Sequence, residues 1–188
     1  MGGAVTKNLP SLNTTHVVML GLDCSGKTTV LYRLKFGQYL NTVPTIGFNC
    51  EKVRITTSKS GGINFSIWDV GGQDKLRPLW RSYTRCTDGI VFVVDSVEEE
   101  RLEEAKMELL KIVKAPENKN VPILVLANKQ DLPGAKEAKE IATLLGLTDL
   151  SPTHPWHVQP TCAVIGDGLV EGLEILYDMI VKRKRTFK

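Results

Sequence analysis

His16-Val17-Val18-Met19-Leu20-Gly21-Leu22-Asp23-Cys24-Ser25-Gly26-Lys27-Thr28-Thr29 changes its backbone preference twice within fourteen residues. The first five residues are rich in β-branched and long apolar side chains and read as a short buried strand. Gly21 ends that run, and Lys27 to Phe36 follows as a proline-free helical segment. Between them, Gly21-x4-Gly26-Lys27-Thr28 fits G-x4-G-K-[ST] in the strand–loop–helix setting the pattern needs. Gly21 and Gly26 permit the tight path that turns successive backbone N–H groups inward, and the helix N-terminus adds partial positive charge. Such a cradle suits a phosphate chain: Lys27 can reach its outer groups, and the Thr28 hydroxyl can coordinate Mg²⁺. The loop predicts a nucleoside triphosphate and leaves the base open.

Outward from this loop, strand-like and helix-like stretches alternate, which predicts an α/β fold on a mostly parallel sheet. Residues 48–56 and 63–69 alternate in polarity and are joined by Ser58-Lys59-Ser60-Gly61-Gly62, a turn composition that makes them an antiparallel edge hairpin. Residues 89–95 and 121–127 are continuous apolar runs of the kind buried on both faces of a sheet. Residues 158–163 are expected as the last strand. Helices are expected over 98–114, with Leu102, Ala105, Leu109 and Ile112 on one side, over 135–145 and over 169–181. The total is about six strands and five helices. The loops that leave the strands are where such a sheet binds its ligand.

Asn128-Lys129-Gln130-Asp131 leaves the fifth strand. The Asp131 carboxylate can accept from guanine N1–H and the 2-amino group together. Adenine would leave it unpaired, and sites built on such pairing reject the analogue by roughly 10⁴–10⁵-fold. Asn128 can tie this loop to the phosphate loop, and the Lys129 stem can cover the base. Thr161-Cys162-Ala163 can offer backbone N–H groups to guanine O6. Trp68-Asp69-Val70-Gly71-Gly72-Gln73 ends the hairpin. Asp69 is placed to hold Mg²⁺ through water, the Gly72 N–H to meet a γ-phosphate, and Gln73 to orient the attacking water. Thr45, in Pro44-Thr45-Ile46-Gly47, can complete the Mg²⁺ shell. Arg77, Arg81 and Arg85 recur at helical spacing after Gln73 and read as a solvated or partner-facing side, with no internal arginine finger.

The 188 residues carry a net charge of +3, too little for wholesale nucleic-acid binding. The charge is uneven, since residues 182–188 hold five basic side chains and no acid. Three regions result: an N-terminal segment 1–14, a nucleotide domain 15–181 and a basic tail 182–188. Cys24, Cys50, Cys86 and Cys162 lie far apart with no CxxC, so free thiols in a reducing compartment are expected. The longest apolar runs are strand-sized, and residues 1–15 lack the apolar core of a secretory signal. Met1-Gly2-Gly3-Ala4-Val5-Thr6 fits M-G-x-x-x-[ST], which makes Gly2 a candidate for myristoylation. Pro10 interrupts the apolar series Val5, Leu9, Leu12, against one continuous membrane-lying helix.

Residues 21–29, Pro44-Thr45-Ile46-Gly47-Phe48-Asn49, WDVGGQDKLRPLWRSY at 68–83, residues 128–133 and Thr161-Cys162-Ala163 together resemble the Arf/Arl family of Ras-superfamily GTPases. The resemblance covers about residues 15–182. Leu31-Tyr32-Arg33-Leu34-Lys35-Phe36, Arg85-Cys86-Thr87-Asp88-Gly89, the long hairpin turn and the basic end are similar to the fourth Arf-like subgroup. It implies the P-loop small-GTPase fold and a monomeric switch that cycles between GDP and GTP with Mg²⁺. It also implies slow hydrolysis stimulated by a GTPase-activating protein, reloading by an exchange factor, and effectors recruited at membranes. The 48–69 hairpin is implied to slide in register on GTP binding, and Phe48, Trp68 and Tyr83 to form an effector-facing cluster, where composition alone favours core. The implied place of work is the cytoplasm and the anionic cytoplasmic face of the plasma membrane, with the nucleus left open. Two departures stand out. Cys24-Ser25 replaces the small Ser-Ala or Ala-Ala pair, which bears on redox sensitivity and exchange, and the basic tail is shorter than the subgroup's. Two alternatives remain at this stage: a P-loop kinase or ATPase, which Asp131 opposes, and a catalytically silent GTP-binding adaptor, which Gln73 and Thr45 oppose.

Overall fold

The computed structural model describes residues 14–57, 62–150 and 153–186. Six strands and five α-helices follow one another as β1 Thr15–Leu20, α1 Lys27–Phe36, β2 Phe48–Ile55, β3 Ile63–Val70, α2 Trp80–Thr84, β4 Gly89–Asp95, α3 Leu102–Val113, β5 Ile123–Asn128, α4 Ala138–Leu144, β6 Trp156–Pro160 and α5 Leu169–Thr186. They form one sheet in the order β2-β3-β1-β4-β5-β6. Only β2 runs antiparallel, paired with β3 from Phe48↔Val70 to Ile55↔Ile63. The expected α/β architecture with an antiparallel edge hairpin is therefore what the chain adopts.

Strand periodicity divides the core between two faces. Val18 and Leu20 of β1 join Trp80, Leu109, Ile141 and Phe92 under α2, α3 and α4. Val17 and Met19 join Leu31, Phe65, Leu126, Leu173 and Ile180 under α1 and α5. Central strands covered on both faces explain the unbroken apolar runs at 89–95 and 121–127. The order places β3 and β4 on opposite sides of β1, so the strand order reverses there. The loops after β1 and β3 therefore open into the crevice where such sheets bind ligands.

Several boundaries differ from expectation for local reasons. The 98–114 helix opens with a tight 3-10 turn, Glu99–Arg101, before α3 begins. Helix α4 starts at 138 rather than 135, because a capping box between Glu137 and Glu140 fixes its first turn. β6 lies at Trp156–Pro160 rather than 158–163: pairing with β5 ends at Ala127↔Pro160, and Thr161–Ala163 turn away as a loop. Helix α5 runs to Thr186, past the boundary drawn at 181. Its last turns carry Lys182, Arg183, Lys184 and Arg185, and cations there interact favourably with the helix C-terminus. Residues 182–186 thus continue a helix rather than forming a separate tail. No helix among the described residues is long and apolar enough to cross a membrane. Gly2, the segment around Pro10 and the turn at 58–61 lie outside the described residues.

Candidate nucleotide-binding site

The phosphate loop is built on conformations that few residues tolerate. Gly26 has φ +95°, and a Cβ there would stand 2.4 Å from Asn128 Nδ2. Only glycine lets that amide pass close enough to donate to the Ser25 carbonyl at 3.0 Å. Asn128 thereby ties the base-reading loop to the phosphate loop, across 103 residues of sequence. Cys24 is exposed and also adopts positive φ, at 61°. The Ser25 hydroxyl donates to Leu22 O at 2.9 Å, and Lys27 Nζ donates to the same oxygen at 2.7 Å. Lys27 is only 6% exposed. Burial lowers its pKa to about 8, against the opposing charges of Asp69 and Asp23.

Three oxygen-bearing side chains from three separate segments meet beside Lys27. Thr28 Oγ1 donates to Asp69 Oδ2 at 2.6 Å and lies 2.8 Å from Thr45 Oγ1, which is 3.5 Å from the same carboxylate oxygen. Asp69 is fully buried, and its Oδ1 has no hydrogen-bond partner among the described residues. Burial pushes its carboxyl pKa up, while the Thr28 hydroxyl and the Lys27 ammonium pull it down. A buried carboxylate with one oxygen held by two hydroxyls and the other without a donor is an all-oxygen set that suits a hard divalent cation such as Mg²⁺.

A cleft of about 400 Å³ gathers most of the candidates: Asp23, Cys24, Gly26, Lys27, Thr28, Thr29, Thr45, Gly72, Gln73 and Lys129 line it, with Thr42, Val43 and Pro44 as its outer wall. Gly72 lies hard against the phosphate loop, since a Cβ there would be 2.4 Å from Gly21 O and 2.5 Å from the Asp23 amide. Gln73 is exposed at the rim. Gly21, Leu22 and Ser25 form the loop's inner side and do not line this cleft.

Asp131, Cys162 and Ala163 sit beyond Lys129. The Cys162 thiol donates to Asp131 Oδ1 at 3.2 Å, so the carboxylate and the Thr161–Ala163 loop are adjacent as expected. The backbone of that loop differs from expectation. The N–H of Thr161 donates to Ala127 O at 2.9 Å, that of Cys162 to Asp167 O at 3.1 Å, and that of Ala163 to Asn128 Oδ1 at 3.0 Å. These donors are already engaged, so a guanine O6 would have to share the Ala163 amide with Asn128. The Lys129 ammonium is paired with Asp95, which holds the stem along the loop.

Arg77 also overturns its expectation. Its side chain is 7% exposed rather than solvated. Nε donates to Gly72 O at 2.8 Å, Nη1 to Glu104 Oε1 at 2.7 Å, and Nη2 meets Asp74 at 2.6 Å and Asp23 at 3.4 Å. Arg101 completes the cluster, with Nη2 at 2.8 Å from Asp23 Oδ1 and Nε at 2.8 Å from Glu104 Oε2. The Arg101 hydrogen bond is the main reason the Asp23 carboxyl lies below its ordinary pKa, and the same holds for Glu104. Sequence offered no signal for this cluster, because Asp23 and Arg101 stand 78 residues apart. Arg81 does reach outward, to Glu117. Phe48, Trp68 and Tyr83 form one cluster with ring centroids 5.1 to 6.2 Å apart. Phe48 is 48% exposed, and Ile46 and Leu79 are exposed as well, at 91% and 47%.

A glycine-rich phosphate loop on β1, a buried Mg²⁺-type carboxylate ending β3 and an NKxD loop after β5 define a P-loop guanine-nucleotide-binding domain. A model of the ADP-ribosylation factor family matches residues 3–180. The chain is 60% identical over 185 residues to human ADP-ribosylation factor-like protein 4A, covering 98% of this chain and 92% of that one. It is 56% identical over 186 residues to human ADP-ribosylation factor-like protein 4C, covering 99% and 97%. Among solved structures, the Arl6 BBS3 small GTPase of Trypanosoma brucei with bound GppNp superposes with a TM-score of 0.77 at 34% identity, over 90% of this chain and 98% of that one. The chain belongs to the ADP-ribosylation factor family. It is accordingly a GTP-binding switch that hydrolyses GTP to GDP and phosphate, in a family governed by exchange factors, activating proteins and effectors. The relatives agree with the subgroup read from residues 31–36 and 85–89.

Proposed function

We propose that this cleft binds Mg²⁺·GTP, with Thr28, Thr45 and Asp69 holding the cation, Asp69 through water. The convergence of the Thr28 and Thr45 hydroxyls on Asp69 Oδ2, beside a buried Oδ1 with no partner among the described residues, carries the reading. When bound, Mg²⁺ neutralises charge on the phosphate oxygens. The chain's residues do the rest. Lys27 exchanges Leu22 O for phosphate oxygens, the inward amides of residues 21–29 cradle the α- and β-phosphates, and the Gly72 N–H meets the γ-phosphate. Gln73, at the rim, orients the attacking water. Asp131 pairs with the guanine edge, Lys129 covers the ring, and the Cys162–Ala163 backbone faces O6. Hydrolysis so arranged rests on positioning and electrostatics. The Phe48–Trp68–Tyr83 cluster, with Phe48 exposed over the partly buried Trp68 and Tyr83, serves as the effector surface at an anionic membrane.

The test is a pair of substitutions. Thr28→Asn should weaken Mg²⁺·GTP far more than GDP, and Gln73→Leu should keep GTP affinity while losing partner-stimulated hydrolysis by roughly 10³-fold or more. Unchanged single-turnover hydrolysis in Gln73→Leu with an activating protein present would remove that residue from its role. An undiminished Mg²⁺ requirement and GTP affinity in Thr28→Asn would remove the cation site.

A further inference from the structure

The Arg77 guanidinium makes none of the nucleotide contacts above, yet its cluster joins three pieces of the molecule that those contacts must keep in register. The 72–77 segment contributes Gly72 O, Asp74 and Arg77, the phosphate loop contributes Asp23, and α3 with its opening turn contributes Arg101 and Glu104. Glu108 of α3 stands within 3.9 Å of the same guanidinium.

We propose that Arg77 is a positioning residue for GTP recognition and hydrolysis: anchored on Glu104, it fixes the Gly72–Gln73 peptide against the phosphate loop. The Gly72 carbonyl lies in the same rigid plane as the Gln73 nitrogen and Cα, so gripping that oxygen at 2.8 Å sets the direction in which Gln73 leaves the loop. Gly72 is held at the same time by its close approach to Gly21 O and the Asp23 amide, which fixes the other side of the residue. Arg77 is shielded from water, where hydrogen bonds between charged groups are stronger than at an exposed surface. Only a planar fork can serve a carbonyl and carboxylates on several sides together. A lysine ammonium on a flexible stem would hold one or two of them. Glu104 is in turn oriented by Arg101 Nε at 2.8 Å, so the anchor is itself braced.

The consequence is nucleotide-selective. Gly72 meets the γ-phosphate and no part of GDP, so loosening its peptide should affect the GTP state alone. This inference rests on the site reading above, and the experiment separates the two. For Arg77→Lys, loss of a charged hydrogen bond should slow partner-stimulated single-turnover hydrolysis and speed release of a fluorescent non-hydrolysable GTP analogue, each by about tenfold, with GDP release within about twofold of wild type. Glu104→Gln should do the same more weakly, and the double variant should be no worse than Arg77→Lys alone, because both act through one contact. If Arg77→Lys does not fold, Glu104→Gln must by itself show the GTP-selective change. Equal acceleration of GDP and GTP-analogue release would reduce Arg77 to a structural residue and overturn the proposal, as would unchanged hydrolysis and release. Gln73→Leu is measured alongside. If it keeps full hydrolysis, the site reading has failed; if it loses hydrolysis while Arg77→Lys does not, only the positioning role has.

Discussion

Asp131 is the residue on which base choice turns, and its surroundings sharpen the expectation. Among the described residues its Oδ1 accepts from the Cys162 thiol, a weak donor that guanine N1–H would displace at little cost. Cys162→Ala should therefore change GDP affinity little, whereas Asp131→Asn should move preference toward xanthine nucleotides, because the amide presents the complementary donor. ATP should bind at least roughly a thousandfold more weakly than GTP, because adenine would cover the Asp131 carboxylate without offering it the paired donors. Competition calorimetry with GDP, XDP and ATP checks all three, and comparable ATP affinity would contradict the assigned role of Asp131. The residues read from sequence here are those whose chemistry is local. Gly26, Lys27, Thr28 and Asp69 each sit in a short pattern whose spacing states their job. Arg77 was misread for the converse reason: helical spacing reports which residues share a face and says nothing of carboxylates arriving from residues 23 and 104.

At the scale of elements, β4 was legible to the residue because a doubly covered strand needs an unbroken apolar run, and 89–95 supplies one. The start of α4 and the site of β6 were not, since each depends on a competition that periodicity does not see. In α4, reciprocal Glu137–Glu140 capping outweighs three further helix-compatible positions. In β6, pairing reaches no further than β5 extends. The entry to β6 carries a titratable contact worth testing. His154 is buried, with Nε2 3.0 Å from Asn118 O and Nδ1 3.0 Å from Thr153 Oγ1. Burial lowers its pKa, the Asn118 hydrogen bond opposes that, and Arg183 of α5 adds to the lowering. The sign follows from proton binding. Above the unfolded pKa of about 6.5 both states are neutral. As pH falls below it the unfolded chain takes a proton that the folded chain resists, so stability declines toward the folded pKa. Denaturant unfolding from about pH 7 down to about pH 5 should show a smaller loss in His154→Gln than in wild type. Parallel curves for the two would mean that His154 does not titrate differently on folding.

At the scale of the whole molecule, the sheet has a nucleotide end and an opposite end, and both termini of the described chain emerge from the latter. Asp88 joins them: its Oδ2 accepts from the His16 amide at 2.9 Å, and its Oδ1 pairs with Lys184 Nζ at 2.6 Å. The basic end of α5 therefore lies away from the nucleotide cleft, on the side where the described chain begins at residue 14. A single myristoyl chain binds marginally, with an association constant of roughly 10⁴ M⁻¹, so a second signal is needed for stable attachment. On the proposed membrane reading, the basic end of α5 would supply it unevenly. Lys184 is partly neutralised by Asp88, while Lys182, Arg183 and Arg185 have no carboxylate partner among the described residues. At about 1 kcal/mol per basic residue near an anionic surface, those three together are worth roughly a hundredfold in binding. Neutralising Lys182, Arg183 and Arg185 should accordingly release most of the protein from phosphatidylserine vesicles, as should Gly2→Ala, while Lys184→Gln should have a visibly smaller effect. Raising salt should weaken wild type and leave the charge-neutralised form little changed, because screening acts only on the electrostatic part. Co-sedimentation of the lipidated protein, GTP-loaded, reads all of these. Binding of the combined Gly2→Ala and neutralised variant at the wild-type level would place the membrane contact elsewhere on the surface, leaving the nucleotide switch untouched.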